Sequence, residues 1–226
     1  MNRPKRTCED AGVKRTVAAV VALVTLVAPL ASACGSGKPA SADAKTVVLH
    51  GAAPEPSGGT RPQFRLVDTS GVAYDFGAAT KGQVTLLYAG YTHCPDECPT
   101  SMADIAAALR QVPVAVQQQI RVVFVTTDPW RDNAKVLRRW LDAFHPPQPY
   151  VGLTGNPSQV AGAEVAMGIP IATRTPQKKG SKTGRYSVSH FAGVLVYGRD
   201  DRLKTLYPSG VVPGDIAADL QVLVKG

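Results

Sequence analysis

Residues 84–111 read VTLLYAGYTHCPDECPTSMADIAAALRQ and combine three patterns in succession. The apolar run Val84–Tyr88 is typical of a strand buried on both faces of a sheet. The segment Thr100–Gln111 predicts a helix. Between them lies a loop that carries Cys94 and Cys98. The two cysteines therefore lie where the carboxyl end of a strand meets the start of a helix, the edge at which α/β sheets tend to form binding sites.

The alternation of strands and helices continues on both sides of this segment. Upstream, Gln63–Asp68 and Val72–Tyr74 predict a hairpin. Downstream, the patterns predict strands at 122–126, 150–153, 192–197 and 202–206 and helices at 132–144 (capped by Asp132), 156–167 and 213–224. This order indicates an α/β domain with a mostly parallel central sheet flanked by helices. A thioredoxin-like fold with an additional N-terminal hairpin, over residues 61–226, fits it best.

The N-terminus is typical of an export signal. Five Lys and Arg residues lie within the first fifteen positions, and Val17–Leu30 is an apolar run too short to span a bilayer comfortably. Small residues precede Cys34, as at a bacterial lipoprotein processing site, although Leu30 lies one position earlier than that pattern favours. We predict that residues 1–34 hold a signal peptide cleaved before Cys34, which is then lipidated. Plain secretion after Ala33 and an uncleaved anchor are the alternatives.

A flexible tether is predicted for residues 35–60, which are rich in Gly, Ser, Ala and Pro. It would hold an extracytoplasmic domain at the outer face of the cytoplasmic membrane through the lipid anchor. No later apolar run predicts a second membrane segment. We expect the protein to be a monomer.

The net charge is mildly basic outside the signal peptide. The whole chain carries +8, from 25 Lys and Arg against 17 Asp and Glu, and without residues 1–34 the charge is +5. Such a balance suits an anionic membrane surface or an acidic protein partner. The polar, basic segment 174–185 is predicted to be a loop that could steer docking, or is simply solvated. No dense run of Arg and Lys interleaved with aromatic residues is present, which argues against nucleic-acid binding.

The four cysteines have different expected fates. Cys8 precedes the apolar run and would be removed with the signal, and Cys34 would carry lipid, so the folded domain keeps Cys94 and Cys98. A disulfide between these two would close a short loop and stabilise the fold little. Pro99 predicts that the regular helix begins there, with both cysteines on the turn before it. The nearby helix N-terminus favours thiolates, which suit a redox disulfide or a shared soft cation.

Two thiolates and one imidazole suit Cu(I), accept Cu(II) and can also hold zinc. The chain has four histidines. His50 lies in the predicted tether, and His145 lies at the far end of a helix. The side chain of His93 should diverge from that of its neighbour Cys94. His190 precedes a predicted strand whose leading loop would face the cysteine loop in a thioredoxin-like domain. It is the best candidate, with a histidine merely packed at a strand end as the alternative.

Four motifs closely resemble the SCO/SenC family of copper-binding proteins for cytochrome c oxidase assembly. They are GYTHCPDECPTSM, VTTDPWRDNAKVLRRWLDAFHP, GLTG and YSVSHF, and the resemblance covers about residues 60–226. It implies a thioredoxin-like fold and a copper metallochaperone. Such a protein delivers copper, as Cu(I) or Cu(II), to the Cu(A) centre on the copper-bearing subunit of cytochrome c oxidase. Another copper donor protein could load it.

Carried over by position, the resemblance implies that Cys94, Cys98 and His190 are the copper ligands. It implies that Asp128 lies near the copper, as a residue that supports the ligands or as a weak ligand; a helix-capping aspartate is the alternative. Ser189 stands where the family usually has Asp immediately before the histidine. This departure removes a carboxylate from the edge of the site without removing a ligand.

The same loop also permits a second function. A thiol–disulfide oxidoreductase would use Cys94 and Cys98 as a redox disulfide to reduce the cysteines of the oxidase copper site. Three residues separate the two cysteines, whereas the usual thioredoxin-type pair has two between them, and such an enzyme has no need of His190. A copper- or redox-sensing lipoprotein without chaperone activity is a third alternative.

Overall fold

The computed structural model describes residues 48–54, 59–181 and 184–226. The predicted signal peptide, the predicted lipidation site Cys34 and the first part of the predicted tether lie outside these ranges. No helix within the described ranges combines the length and the apolar character needed to cross a bilayer.

Two sheets and six helices make up the described part of the chain. The strands are β1 (Arg65–Asp68), β2 (Ala73–Asp75), β3 (Val84–Gly90), β4 (Ile120–Thr126), β5 (Val151–Thr154), β6 (Thr173–Pro176), β7 (Tyr186–Ser189), β8 (Gly193–Tyr197) and β9 (Leu203–Pro208). The helices are α1 (Phe76–Thr80), α2 (Glu97–Gln111), α3 (Val114–Gln117), α4 (Ala134–Asp142), α5 (Pro157–Ala166) and α6 (Pro213–Lys225). The main sheet has seven strands in the order β2-β1-β5-β4-β3-β8-β9, and β6 pairs with β7 separately.

The centre of the main sheet is parallel, as the alternation of strands and helices predicted. β3 pairs with β4, and β4 pairs with β5, in parallel register, because helical connections carry the chain back between them. The outer strands are antiparallel: β1 pairs with β5, and β8 pairs with both β3 and β9. The predicted N-terminal hairpin is confirmed as the β1–β2 pair.

The central position of β3 follows from its apolar sequence, since all seven of its residues are buried. Alternate side chains of a strand point to opposite faces of the sheet. Leu86 and Tyr88 belong to a core with residues of α2 and α6, whereas Leu87 belongs to a second core with Val123 and residues of α5. Because both faces are covered, the carboxyl end of β3 and the loop after it are held in a defined place.

The helix after the cysteine loop begins earlier than predicted. α2 starts at Glu97, so Cys98 lies inside its first turn rather than on the turn before it. Pro99 is compatible with this start, because amide groups in the first turn of a helix have no intrahelical acceptor and a missing N–H costs little there. Cys98 is thereby held by the helix, whereas Cys94 stays in the loop.

Two other local predictions were wrong. The segment 174–185 is not a continuous loop, because β6 and β7 pair there, with Arg174 opposite Val188. The exposed strand β6 lacks the apolar alternation by which strands are recognised. Asp132 does not cap α4; the side chain of Asn133 accepts the capping hydrogen bond instead.

Part of the predicted tether contacts the domain. Ala52 forms an isolated bridge with Leu206 of β9, and the Nδ1 atom of His50 lies 2.7 Å from Oδ1 of Asp219 in α6. Pairing along a sheet edge uses backbone groups and needs no apolar side chains, so the composition of this segment did not reveal it. These contacts involve residues that precede the expected boundary at residue 61.

Candidate metal centre

Three separate elements supply the donor atoms of the site. Cys94 lies in the loop after β3, Cys98 lies in the first turn of α2, and His190 directly follows β7. Their ligand atoms all lie within 4.8 Å of one another. The Nε2 atom of His190 is 3.4 Å from the Sγ atom of Cys98 and 3.9 Å from that of Cys94. This is the one group of three or more Cys, His, Asp or Glu side chains in the described residues that could hold a metal ion.

Short-range contacts shape the loop between β3 and α2. The backbone N–H of Cys94 donates to the carbonyl of Tyr91 at 3.2 Å, and the N–H of Cys98 donates to the Sγ atom of Cys94 at 3.4 Å. A Cβ atom on Gly90 would lie 2.8 Å from the Sγ atom of Cys98, closer than side chains pack. Glycine is therefore needed for Cys98 to lie against the end of β3. Sequence reasoning missed this role, since a glycine before a loop signals a turn rather than a sulfur contact.

His190 is oriented with Nε2 towards both sulfur atoms. Its Nδ1 atom lies 3.0 Å from the backbone carbonyl of Phe191. A carbonyl only accepts, so this contact places a proton on Nδ1 and makes Nε2 the ring atom that can bind a metal. The rings of Tyr91 and Tyr88 pack edge-on against the imidazole, with centroids 5.4 Å and 6.3 Å away. Contacts of this kind hold the tautomer and the ring orientation that a metal ligand needs.

The two thiols differ in acidity because their surroundings differ. A hydrogen bond from the Cys98 thiol, supported by His190 and two backbone amides, outweighs burial and lowers the pKa of Cys94 to about 4. Burial raises the pKa of Cys98, and the adjacent Cys94 raises it further. Burial lowers the pKa of His190, but hydrogen bonds with Cys94 and the Phe191 carbonyl outweigh it, so the pKa is raised overall. At neutral pH the metal-free site therefore holds a thiolate at Cys94 and a thiol at Cys98.

This difference predicts selective alkylation of the metal-free, reduced protein. Because the lowered pKa leaves Cys94 ionised across the neutral range, its rate of reaction with iodoacetamide should change little between pH 6 and pH 8. The rate of an ordinary thiol would rise by roughly two orders of magnitude over the same range. Mass spectrometry of peptides from the quenched reaction measures this.

The fully buried Cys98 supplies the internal control, because it should be labelled only after unfolding. Cys94→Ser should leave no labelled cysteine within residues 61–226 of the folded protein. A rate for Cys94 that climbs steeply with pH would contradict the assigned thiolate.

Asp128 is connected to the site through other residues. Its buried carboxylate contacts the guanidinium of Arg131 and accepts a hydrogen bond from the Tyr186 hydroxyl at 2.8 Å. The guanidinium of Arg131 in turn lies 5.7 Å from the ring centroid of Tyr91, which packs against His190. With its oxygens engaged in this way, Asp128 stands outside the ligand group, as a support for the side chains around it.

Asp132 holds the first part of the cysteine loop in place through Thr92. Its buried carboxylate accepts hydrogen bonds from the backbone N–H of Thr92 at 2.9 Å and from the Thr92 hydroxyl at 2.6 Å. It also accepts one from the hydroxyl of Thr126, at the end of β4, at 2.8 Å. Asp132 therefore ties the loop to the neighbouring strand. Its sequence position before a helix suggested only a cap.

The other histidines lie outside the group formed by Cys94, Cys98 and His190. His93 is exposed, and its Nδ1 atom contacts the Thr92 hydroxyl at 3.1 Å rather than a sulfur. His50 contacts Asp219, and His145 lies just beyond α4 in a left-handed conformation with φ of 46°. Of the four imidazoles, His190 is the one that joins the two cysteines.

A buried carboxylate that sequence reasoning missed also acts on His190. Glu164 of α5 is 2% exposed; its Oε2 atom accepts from the N–H of Ala172 at 3.1 Å, and its Oε1 atom has no hydrogen-bond partner. Burial raises the pKa of Glu164, whereas the hydrogen bond from Ala172 and the charge on His190 lower it. When ionised, Glu164 thus adds negative potential near the imidazole.

Comparisons with known proteins point to one family. The family described as SCO1/SenC matches residues 52–225. The chain is 40% identical over 102 residues to an SCO2-like protein of Rickettsia felis, an alignment that covers 44% of this chain and 46% of the relative. The chain thus spans less than half the length of that relative.

Solved structures agree with this match. The ScoI protein of Bradyrhizobium japonicum with copper bound superposes with a TM-score of 0.63 at 31% identity, covering 73% of this chain and 99% of the other. Apo Sco1 from Thermus thermophilus gives a TM-score of 0.66 at 31% identity, covering 79% and 99%. Since the family match extends over most of the sequence and includes the cysteine loop and His190, the chain belongs to the SCO1/SenC family.

Proposed function

We propose that this protein is a copper metallochaperone that delivers copper to the Cu(A) centre of cytochrome c oxidase during its assembly. The observation that carries the proposal is the convergence of the sulfurs of Cys94 and Cys98 with Nε2 of His190. Membership of the SCO1/SenC family and similarity to a copper-bound ScoI protein support it. The copper is cargo, and the protein contributes the three atoms that hold it.

The donor set suits copper better than a structural zinc. Thiolate and imidazole ligands are those that Cu(I) prefers and Cu(II) accepts, and copper lies above zinc in the general order of affinities. Structural zinc sites use four protein ligands, whereas the group in the described residues has three. The residues present therefore fit a copper ion.

The exposure of the ligands suits transfer rather than storage. Cys98 is fully buried, whereas Cys94 and His190 are only partly buried. An acceptor could therefore approach the copper from the side of Cys94 and His190 and replace these ligands one at a time. Loading displaces the proton of the Cys98 thiol, and release returns it. Neither step needs an oxidant or a reductant.

The oxidoreductase alternative is not favoured. Both cysteines are free thiols, and the more buried one is covered by the core on which α2 packs. Thiol–disulfide exchange has no role for an imidazole within 4 Å of both sulfurs, whereas a metal ion would use it as a third ligand. We propose that a Cys94–Cys98 disulfide, if it forms, represents the oxidised metal-free protein, which must be reduced before loading.

The proposed location rests on the sequence. Cleavage before Cys34 and lipidation there would place the domain outside the cytoplasm on the outer face of the membrane, where cytochrome c oxidase exposes its Cu(A) domain. The tether of small residues would give the domain reach. We propose that it works there as a monomer loaded by another copper donor protein.

Copper transfer tests the function directly. The reduced full chain, kept in detergent, should bind one equivalent of copper, with a sulfur-to-copper charge-transfer band in the Cu(II) form. After mixing with the reduced, metal-free Cu(A) domain, the copper should move and the Cu(A) absorption should appear. The proposal would be wrong if copper stayed on the chain, or if the chain reduced an oxidised Cu(A) domain but passed it no metal.

A further inference from the structure

A charged aromatic stack lies on the surface beside the metal centre. Trp130, which follows β4, is 52% exposed. The guanidinium carbon of Arg174, on β6, lies 3.7 Å from the centroid of its ring. The same guanidinium lies 5.5 Å from the ring of Tyr186 on β7. The indole and the guanidinium form a cation–π pair in which both side chains remain exposed.

The hairpin that carries Arg174 is strongly basic. Between Pro170 and Ser189 the sequence has no Asp or Glu. The cations of this hairpin in the described residues are all exposed: Arg174, Lys178, Lys179 and Arg185. We call Trp130 together with these four cations the Trp130 platform.

A continuous set of contacts joins the platform to the copper ligands. Arg131 lies 3.8 Å from the ring centroid of Tyr186 and donates to its backbone carbonyl at 3.2 Å. The same guanidinium lies over Tyr91, whose ring packs against His190. In addition, β7 ends at Ser189, the residue before His190. Whatever docks on the platform therefore lies along the rim of the metal centre.

We propose that the Trp130 platform is the docking surface for an acidic face of the protein that accepts the copper. This inference rests on the proposed function, since it names where the acceptor binds. Stacking on Trp130 holds the exposed Arg174 guanidinium flat, in the planar geometry that pairs with carboxylates side by side. Trp and Arg are the residues that most often dominate binding energy at protein interfaces.

The start of α2, which carries Cys98, has the opposite charge to the hairpin. Asp96 and Glu97, at the start of α2, are exposed, while the hairpin side is basic. A partner with one acidic edge is therefore attracted to the hairpin and repelled from α2, which sets its orientation over Cys94 and His190. An anionic membrane would offer no such orientation, and it would cover the rim through which copper must leave.

Binding measurements test the platform without depending on copper transfer. The full chain is immobilised, and the affinity of the reduced, metal-free Cu(A) domain is measured at low and moderate salt. Trp130→Ala and Arg174→Gln should each weaken binding about 10- to 30-fold, and Arg174→Gln should also reduce the salt dependence. Arg65→Gln is the matched control, because it removes one exposed cation on β1 and should change the affinity less than twofold.

The outcomes separate the two proposals. Equal losses for Arg174→Gln and Arg65→Gln, or no measurable binding by the unmodified chain, would overturn the platform as a docking surface. So would a result in which Arg174→Gln lowers binding to vesicles that contain anionic lipid but leaves binding to the Cu(A) domain intact. If the unmodified chain binds but never passes copper, the proposed function fails while the docking result stands. Each variant should retain one bound copper and an unchanged charge-transfer band, which checks that the site is intact.

Discussion

Replacing His190 with alanine should lower the affinity for Cu(II) by more than about 100-fold. Residues that only support metal ligands typically cost 10- to 100-fold when changed, and His190 is assigned here as a ligand. Its Nε2 atom is the one nitrogen near both sulfurs among the candidate ligands. Affinity for Cu(I) should fall less, because two thiolates alone can hold this softer ion. Competition with a chelator of known affinity, for each oxidation state, gives the two ratios.

The matched control for this experiment is His93→Ala. His93 is adjacent to Cys94 in the chain, but its imidazole is exposed and contacts Thr92. This variant should bind Cu(II) within about threefold of the unmodified protein, a change well below that of a lost supporting residue. If the two variants lost affinity equally, the ligand set proposed here would be wrong. The disulfide between Cys94 and Cys98 should still form in His190→Ala, which separates metal binding from thiol chemistry.

Replacing Arg61 with methionine should lower the free energy of unfolding by about 3–5 kcal/mol, the range for breaking a buried charged network. Arg61 is 3% exposed. Its guanidinium donates to the hydroxyls of Thr80 and Thr85 at 3.0 and 2.7 Å. It also donates to the carbonyls of Gln83 and Gly198 at 2.9 and 2.8 Å. Methionine fills much of the volume but leaves these buried oxygens without their donor.

Urea unfolding measures this loss, with Arg65→Met as the control. Arg61 pairs with Asp201 at 2.6 Å. Arg65 likewise pairs with an aspartate, at 2.8 Å from Asp75, but its side chain is 79% exposed. Exposed pairs contribute about 0–1 kcal/mol, so the control should be nearly as stable as the unmodified protein. Arg61 precedes β1 in the chain, and its guanidinium contacts Gln83 and Thr85 at the start of β3. The metal site follows the other end of β3, so the copper affinity of the folded variant should be unchanged. A loss below 1 kcal/mol for Arg61→Met would mean that water replaces the guanidinium.

Local sequence patterns were sufficient to predict the parts of the structure that depend on interactions between neighbouring residues. The apolar run of β3 required a strand covered on both faces, and the turn after Asp68 required the β1–β2 hairpin. The spacing of Cys94 and Cys98 on a turn before a helix allowed the two sulfurs to lie on one side of it. These features follow from backbone geometry within a few residues, which is the range over which periodicity and turn chemistry act.

Other features were not visible from the sequence because they depend on contacts between distant segments. The hydrogen bonds of Asp132 to the cysteine loop and the buried carboxylate of Glu164 are examples. The residue composition also gave no indication of β6, because an exposed strand lacks the apolar face by which strands are recognised in a sequence. In each case the partner lies far along the chain or is a backbone group.

The metal centre shows most clearly which features the sequence determines and which depend on the tertiary structure. From the sequence alone, two thiols could be placed on one turn, and four histidines were candidates for the third ligand. The family resemblance favoured His190. The meeting of His190 with sulfurs more than ninety positions away depends on the packed sheet, in which β8 lies antiparallel to β3 and brings the end of β7 to the cysteine loop. A ligand set of this kind exists only after burial of both sheet faces has set the strand order, because no local interaction holds a nitrogen near those sulfurs.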